Sequence, residues 1–172
     1  MSHVLWSIGH STRPIDEFLS LLRAHGIHQL VDVRIIPRSR YNPQLNSETL
    51  ANSLAGESIH YRHTGRLGGL RKPKKDSINS GWRNASFRGY ADYMQTDAFW
   101  EAFDELVAES RLQHTVIMCA EAVPWRCHRS LIADALVIKG WEVRHIMSET
   151  NADRHQLTSF ATVRNGLLYY GE

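Results

Sequence analysis

The chain has 172 residues, of which 42% are hydrophobic and 22% are charged, so its composition is that of an ordinary globular protein. This length predicts a single domain over residues 1–172 with a hydrophobic core of its own. The chain has no apolar run near the ~18 residues of a membrane span and no signal-peptide pattern, which predicts a cytoplasmic protein without a membrane partner. The formal net charge of +2 identifies no partner by itself.

The first part of the chain alternates short apolar runs with amphipathic segments. Residues 4–9 and 29–34 are apolar runs that resemble buried strands. Residues 14–26 place their apolar side chains on one face and stop at a glycine, which predicts a helix. A shorter helix is expected over residues 47–56 and a strand over residues 58–63.

The same alternation resumes after a long loop, residues 64–89. A helical stretch with a break near Thr96 is expected over residues 90–111, followed by a strand over residues 114–119. A further helix is expected over residues 127–140 and a further strand over residues 141–146. Asn165-Gly166 then lies between two β-prone runs, and this dipeptide is the strongest short signal for a hairpin.

Strands that are continuous apolar runs and alternate with helices are typical of α/β proteins. The sequence therefore predicts a mainly parallel central sheet with helices on both faces, plus a C-terminal β-hairpin. Ligands of such sheets bind beyond the carboxyl ends of the strands. The unusual polar residues of this chain follow those ends: His10 and Ser11, Asp32 and Arg34, Cys119 and Glu121.

The segment MCAEAVPWRCHRS, residues 118–130, contains both cysteines of the chain. Cys119 ends a strand shortly before a helix, where the helix dipole and cations such as Arg129 favour a thiolate. A buried and inert thiol is the alternative. For Cys127 we favour packing over reactivity. We expect two free thiols, because the cytoplasm is reducing and the Cα atoms need not approach within the ~7 Å of a disulfide.

Glu121 is expected to be a general acid or base, since a carboxylate on the rim of an apolar sheet needs a task or a partner. Its structural alternative is an ion pair with Arg126 or Arg129. His10 and His128 are candidates for proton transfer, and the alternative for His10 is a backbone hydrogen bond in a tight turn.

Anion binding is expected from the arginines that follow the strands and from the long loop. Arg34 and Arg129 are assigned to the substrate, with Asp32 and Arg34 expected on opposite sides of their strand end. Residues 62–90 carry eight Lys and Arg side chains against one acid, Asp76. Trp82, Phe87 and Tyr90 interleave with these cations, a combination that suits nucleic acids. A solvated loop that contacts no ligand is the alternative.

A metal or redox site is a further alternative. Cys119, Cys127 and His128 offer soft ligands, but their spacing matches no standard zinc motif. We found no P-loop, dinucleotide-binding or H-E-x-x-H motif, so no metal ligands are assigned and the cofactor is unknown.

The VDVR strand end and the cysteine segment before a helix resemble the rhodanese superfamily. The compact C-x-x-G-x-R loop of those sulfurtransferases is absent, and Cys119 to Arg126 is one residue longer than the C-x5-R loop of cysteine phosphatases. This resemblance implies shared architecture and not shared activity.

A closer resemblance covers nearly the whole chain. SIGHS, VDVRIIPRSR, HTGRLGG, FRGYADYM and MCAEAVPWRCHR, in this order, resemble the family catalogued as domain of unknown function 488. The family usually begins T-I-G-H-S, where this chain has Ser7. Membership implies an α/β fold and a shared site in which the motif positions cluster. Those positions are His10, Ser11, Asp32, Arg34, Arg88, Tyr90, Cys119, Glu121, His128 and Arg129.

The sequence thus predicts an enzyme for hydrolysis or group transfer on an anionic substrate that bears phosphate, such as a nucleotide or nucleic acid. Cys119 and Glu121 supply reactivity, His10 or His128 moves a proton, and Arg34, Arg88 and Arg129 bind the anion. Ser11, Asp32 and Tyr90 complete the expected substrate site. A nucleic-acid-binding module without catalysis, or a metal or redox protein, remains the alternative.

Overall fold

The computed structural model describes residues 3–171. Five parallel strands and one antiparallel edge strand form a sheet in the order β3-β2-β4-β1-β5-β6. Its strands are β1 (Val4–Gly9), β2 (Gln29–Asp32), β3 (His60–His63), β4 (Thr115–Cys119), β5 (Glu142–Ile146) and β6 (Ala152–Arg154). A separate antiparallel hairpin contains β7 (Thr162–Arg164) and β8 (Leu167–Tyr169).

Five α-helices cover the sheet: α1 (Ile15–Ala24), α2 (Ser47–Ala55), α3 (Ala85–Tyr93), α4 (Asp97–Ser110) and α5 (Arg129–Ile138). Short 3₁₀ turns occupy Pro43–Leu45, Gly65–Leu67 and Pro124–Arg126. No helix in residues 3–171 is long and apolar enough to cross a membrane.

Alternate residues of the strands feed two separate cores. Trp6 and Ile8 of β1 pack with α1 and α2, whereas Leu5 packs on the other face with α3, α4 and α5. This two-sided burial is the reason that the strands are continuous apolar runs. The α/β prediction is confirmed, including the C-terminal hairpin, whose Asn165 and Gly166 both have the positive φ of its predicted tight turn.

Two elements differ from the sequence prediction. Helix α3 begins at Ala85, within the stretch expected to be loop, because the Asn84 side chain accepts hydrogen bonds from the N–H groups of Ser86 and Phe87 and caps the helix. Strand β6 was not predicted: its three residues are too few and too polar to show a strand pattern.

The segment that follows β4 packs closely over the end of β1. The backbone N–H groups of His10 and Ser11 continue the ladder by donating to the carbonyl oxygens of Cys119 and Ala120. A Cβ atom added to Gly9 would lie 1.7 Å from the carbonyl oxygen of Glu121. Only glycine permits this approach, so β1 fixes the position of the segment that follows β4.

We expect Gly9→Ala to destabilise the protein by about 1–3 kcal/mol or more, because the new methyl group must displace the backbone of Glu121. Gly56→Ala is the control, since its Cβ would meet its nearest heavy atom at an ordinary 3.4 Å. Urea denaturation of both variants measures the difference. Equal stability of the two variants would contradict the close packing of Gly9 against the backbone of Glu121.

Candidate active site

A cavity of about 340 Å³ opens at the carboxyl edge of the sheet, beyond β2 and β4. The segments after these two strands line it, together with the loop after β3 and the start of α3. Its lining residues are Arg34, Ile35, Ile36, Arg38, Gly69, Leu70, Ser86, Phe87, Tyr90, Cys119, Ala120, Glu121, Arg126, Cys127 and His128.

Arg129 lies beneath this cavity and is 1% exposed. Its Nη1 donates to the Cys119 sulfur at 3.2 Å and to the Glu121 carbonyl oxygen at 3.1 Å. Its Nε is buried without a hydrogen-bond partner, and no carboxylate in residues 3–171 forms an ion pair with it. Burial lowers the pKa of Arg129 to about 10, so the group is still a cation at neutral pH.

A buried cation without a carboxylate needs another counterion, because desolvation of an unpaired charge costs several kcal/mol. The Cys119 sulfur accepts a hydrogen bond from this cation. Glu121 adds attraction from farther away and raises the pKa of Arg129. Arg129 thus places a positive charge directly beside the Cys119 sulfur.

The structure pairs Cys119 with Cys127, with sulfur atoms 2.50 Å apart and Cα atoms 7.5 Å apart. The expectation of two free, separated thiols is wrong for this structure, because the 3₁₀ turn Pro124–Arg126 folds the segment back on itself. When the pair is reduced, the Cys119 sulfur lies beside a cation, an environment that favours a thiolate.

Glu121 is exposed at the edge of the cavity. Among residues 3–171 its carboxylate forms no ion pair and no hydrogen bond, so the predicted alternative of a pairing with Arg126 or Arg129 is absent there. The backbone carbonyl of Glu121 contacts Arg129 instead. The carboxylate is thus available to a bound molecule.

His128 also lines the cavity. Its Nε2–H donates to the Val33 carbonyl oxygen at 2.9 Å, and its Nδ1 faces the Cys127 sulfur at 3.5 Å. Desolvation lowers its pKa to about 4, with further lowering from Arg129 and Arg71. His128 is therefore neutral at physiological pH and holds a fixed orientation.

His10 lies outside the cavity lining and is 2% exposed. Its Nδ1–H donates to the Ser11 carbonyl oxygen at 2.7 Å, and its Nε2 faces Arg34 Nη1 at 3.4 Å. Burial lowers its pKa. With both ring nitrogens engaged, His10 supports Arg34 from behind, which matches the backbone-bonded alternative considered from the sequence.

Asp32 and Arg34 do not lie on opposite sides of their strand end. Residues two apart share one face, and the Asp32 carboxylate accepts from Arg34 Nε at 2.9 Å and Nη2 at 2.6 Å. Tyr61 also donates to Asp32, at 2.7 Å. Arg34 lines the cavity as half of a buried ion pair, while Asp32 is fully buried and orients it.

Three other sequence candidates have distinct positions. Tyr90 lines the cavity, with its hydroxyl donating to the Leu67 carbonyl oxygen at 2.8 Å. Ser11 lies outside the lining, in a turn where its φ is 51°. Arg88 points to a different groove, because α3 turns it away from Tyr90, and its Nη1 donates to the Trp82 carbonyl oxygen.

The long loop over residues 64–89 is fixed to α3 by hydrogen bonds to Asp92 of that helix. The carboxylate of buried Asp92 accepts from the Lys74 N–H, the Ser77 hydroxyl and the Asn79 amide. Arg66 of this loop and Arg62 of β3 form ion pairs with glutamates of α4, so part of the positive charge of residues 62–90 is neutralised.

The loop contributes apolar residues to the cavity and its cations to a separate surface. We call that surface the lysine groove; Pro73, Lys74, Lys75, Ser77, Ser80 and Arg88 line it. Trp82 packs against Phe87, Phe160 and Tyr170 at ring-centre distances of 5.0, 4.8 and 5.4 Å, so it is not free in the groove.

Several residues of the cavity were not assigned to the substrate from the sequence. Arg38 and Arg126 are exposed at the cavity and form no ion pair within the described part of the chain. Ile36 and Leu70 are 64% and 75% exposed and form an apolar lip. The sequence named Arg126 only as a neighbour of Cys119 and Glu121, and Arg38 is one of three arginines at residues 34–40. No group of three His, Cys, Asp or Glu side chains that could hold a metal ion occurs in residues 3–171.

Fold and site together define an α/β protein with a cysteine and a glutamate at the carboxyl edge of a parallel sheet. A family model described as Domain of unknown function DUF488 matches residues 14–136, and the chain belongs to that family. The matched range contains the VDVR and cysteine segments but not residues 7–11. No curated protein and no solved structure matches the chain.

The buried imidazoles predict a loss of stability in mild acid. Burial lowers the pKa of His10, His128 and His145, the last two to about 4 and about 3. Unfolded histidines titrate near ~6.5, so below that pH the unfolded chain binds more protons and the free energy of unfolding falls. Each imidazole contributes at most about 1.4 kcal/mol per pH unit.

Urea denaturation between pH 7.5 and 5 measures this slope before most carboxylates titrate. His128→Gln should flatten the slope, because it removes one buried imidazole. His60→Gln is the control, since His60 is exposed on β3 and its replacement should leave the slope unchanged. Stability that is constant over this range would contradict the expectation.

Proposed function

We propose that this protein catalyses group transfer or hydrolysis on an anionic substrate that bears phosphate, with Cys119 as nucleophile and Glu121 as proton acceptor. The observation that carries the proposal is the buried Arg129 guanidinium, which lies 3.2 Å from the Cys119 sulfur and has no carboxylate partner in the described residues. A cation beside a cysteine favours the thiolate, which is the nucleophilic form of the side chain.

The anion is held by cations at the mouth of the cavity. Arg38 and Arg126 are exposed and unpaired within residues 3–171, while Arg34 is held rigidly by Asp32. Against them the lining has one carboxylate, Glu121. This excess of positive charge favours a substrate with at least one negative group.

In the first step the Cys119 thiolate gives an electron pair to the phosphorus atom of the substrate, and a sulfur–phosphorus bond forms. The bond from phosphorus to the leaving oxygen breaks, and that oxygen takes a proton from water. Arg126 and Arg38 compensate the charge that develops on the phosphoryl oxygens.

In the second step water attacks the phosphorus atom while the Glu121 carboxylate accepts a proton from it. The sulfur–phosphorus bond breaks and its electron pair returns to Cys119 as thiolate, which Arg129 stabilises. Glu121 then releases the proton to solvent. Transfer replaces hydrolysis when a substrate hydroxyl takes the place of water.

A thiol–disulfide function is a second candidate, favoured by the pairing of Cys119 with Cys127. The two functions differ in what they require of Glu121. Redox cycling of the cysteines proceeds without its carboxylate, whereas phosphoryl hydrolysis needs a group that accepts the proton of water.

Two small alkylating agents test the nucleophile and the cations together. Iodoacetate and iodoacetamide react alike with a thiolate, but only iodoacetate is an anion. We expect Cys119 of the reduced protein to be alkylated at pH ~6 and to favour iodoacetate, with mass spectrometry identifying the site. Arg126→Gln should reduce the preference several-fold, and Arg164→Gln, on the exposed hairpin, should not.

Turnover is tested with a panel of nucleotides and oligonucleotides by release of phosphate or of a shortened strand. Cys119→Ser and Glu121→Gln should each lower turnover by about 10²-fold or more, with binding retained in the Glu121 variant. Turnover that survives both changes would exclude this mechanism. Reversible disulfide formation without any turnover would favour the redox candidate.

Nucleic-acid binding without catalysis is supported by the lysine groove, whose Lys74 and Lys75 are exposed. If the groove contacts phosphates, binding of single-stranded RNA or DNA should weaken with salt by a log–log slope of about −0.7 per contact. Replacing Lys72, Lys74 and Lys75 by Ala should flatten this slope. A fluorescence titration across salt concentrations measures it, and no binding at low salt would refute this candidate.

A further inference from the structure

A second cavity, of about 410 Å³, lies on the other side of the cysteine segment. We call it the tryptophan cavity. Its lining residues are Trp82, Pro124, Trp125, Ser130, His145, Asp153, Arg154, His155, Gln156 and Thr158. Its volume falls in the range of small-molecule sites, and the proposed reaction uses none of these residues.

An oriented chain of hydrogen bonds forms one side of this cavity. Ser7 donates to His145, His145 Nε2–H donates to His155 Nδ1 at 2.9 Å, and His155 Nε2–H donates to Asp134 at 2.7 Å. All four ring nitrogens are occupied, so neither imidazole has a lone pair for a metal ion. The imidazoles form a rigid wall that needs no reorganisation when a ligand enters.

Two aromatic side chains form other parts of the wall. Trp125 is 64% exposed, which is unusual for so large an apolar ring. Trp82 is fixed by its aromatic neighbours, and its Nε1–H is buried without an acceptor in residues 3–171. An exposed aromatic ring at the wall of a cavity suits a flat ring that can stack on it.

Gln156 supplies a further polar group. It is exposed, and its amide forms no hydrogen bond within the described residues. A glutamine amide pairs with the donor and acceptor edge of a base, as with N6 and N7 of adenine. Asp153 and Arg154 carry opposite charges, so the tryptophan cavity has no excess charge to attract a second anion.

We propose that the tryptophan cavity binds the base of a nucleotide unit, by stacking on Trp125 and by hydrogen bonds to Gln156. The link to the phosphate rests on the proposed function. Trp125 lines the tryptophan cavity, whereas Arg126, its neighbour in the same 3₁₀ turn, lines the cavity of the proposed active site. One backbone segment separates the two sites, so a base and an attached phosphate reach both.

Adenosine, guanosine, cytidine and uridine test the base site, because none of them carries phosphate. We expect at least one to bind and to quench tryptophan fluorescence, with calorimetry giving the affinity. Trp125→Ala should weaken that nucleoside about 5- to 150-fold, as loss of a stacked base predicts. Gln156→Leu should weaken it several-fold. Tyr41→Ala is the control, since Tyr41 is 85% exposed and lies outside both linings.

Binding that both cavity variants weaken and Tyr41→Ala does not would support the base site. Absence of binding by all four nucleosides, or binding that neither cavity variant changes, would overturn it. Alkylation of Cys119 by iodoacetate is measured on the same protein. If alkylation shows the expected preference and no nucleoside binds, the base site fails alone. If a nucleoside binds and Cys119 is inert, the proposed function fails alone.

The monophosphate of the tightest nucleoside tests the link between the cavities. It should bind more tightly than the nucleoside, and Arg126→Gln should remove that advantage while leaving nucleoside binding unchanged. Equal affinity of the nucleoside and its monophosphate for the parent protein would overturn the link.

Discussion

The contact between Arg129 and Cys119 is the constraint around which the site is organised. A guanidinium in the first turn of α5 is fully buried, donates to the sulfur at the end of β4, and binds the carbonyl that follows it. Burying a cation without a carboxylate is unfavourable, and the sulfur and the carbonyl oxygen offset part of that cost. One side chain thereby fixes the positions of the sulfur, the start of α5 and the turn of the cysteine segment. Glu121 is left with its backbone engaged and its carboxylate exposed to the cavity.

Around this contact the charges are arranged in two layers. The inner arginines, Arg34 and Arg129, each have a partner that fixes their orientation, a carboxylate in one case and a sulfur in the other. The outer arginines, Arg38 and Arg126, are exposed. Buried cations organise the protein, while exposed ones can exchange water for a ligand at lower cost. This division leaves the charge of the two outer arginines available to a ligand.

Much of this arrangement could be predicted from the sequence, because hydrophobic runs mark buried strands and strand ends mark the ligand edge of a parallel sheet. The sequence could not show that Arg129 is buried without a carboxylate or that Asp32 holds Arg34, since both depend on side-chain direction. It suggested a solvated loop as the alternative for residues 64–89, yet Asp92, 18 residues after Lys74, fixes that loop. The sequence also could not show the chain of hydrogen bonds from Ser7 through His145 and His155 to Asp134. Its members lie far apart in the sequence, and hydrophobic periodicity does not indicate which polar side chains become partners.

The close packing of Gly9 against Glu121 has a consequence for the rigidity of the cavity. The cysteine segment lies on the end of β1, a strand paired on both sides within the sheet, so its movement would require a shift of the central strands. The opposite wall is held by side chains instead: Tyr90 donates to the Leu67 carbonyl oxygen and Arg71 donates to the Gly68 carbonyl oxygen. One wall of the cavity is therefore part of the sheet, whereas the other depends on a few hydrogen bonds that single substitutions can remove.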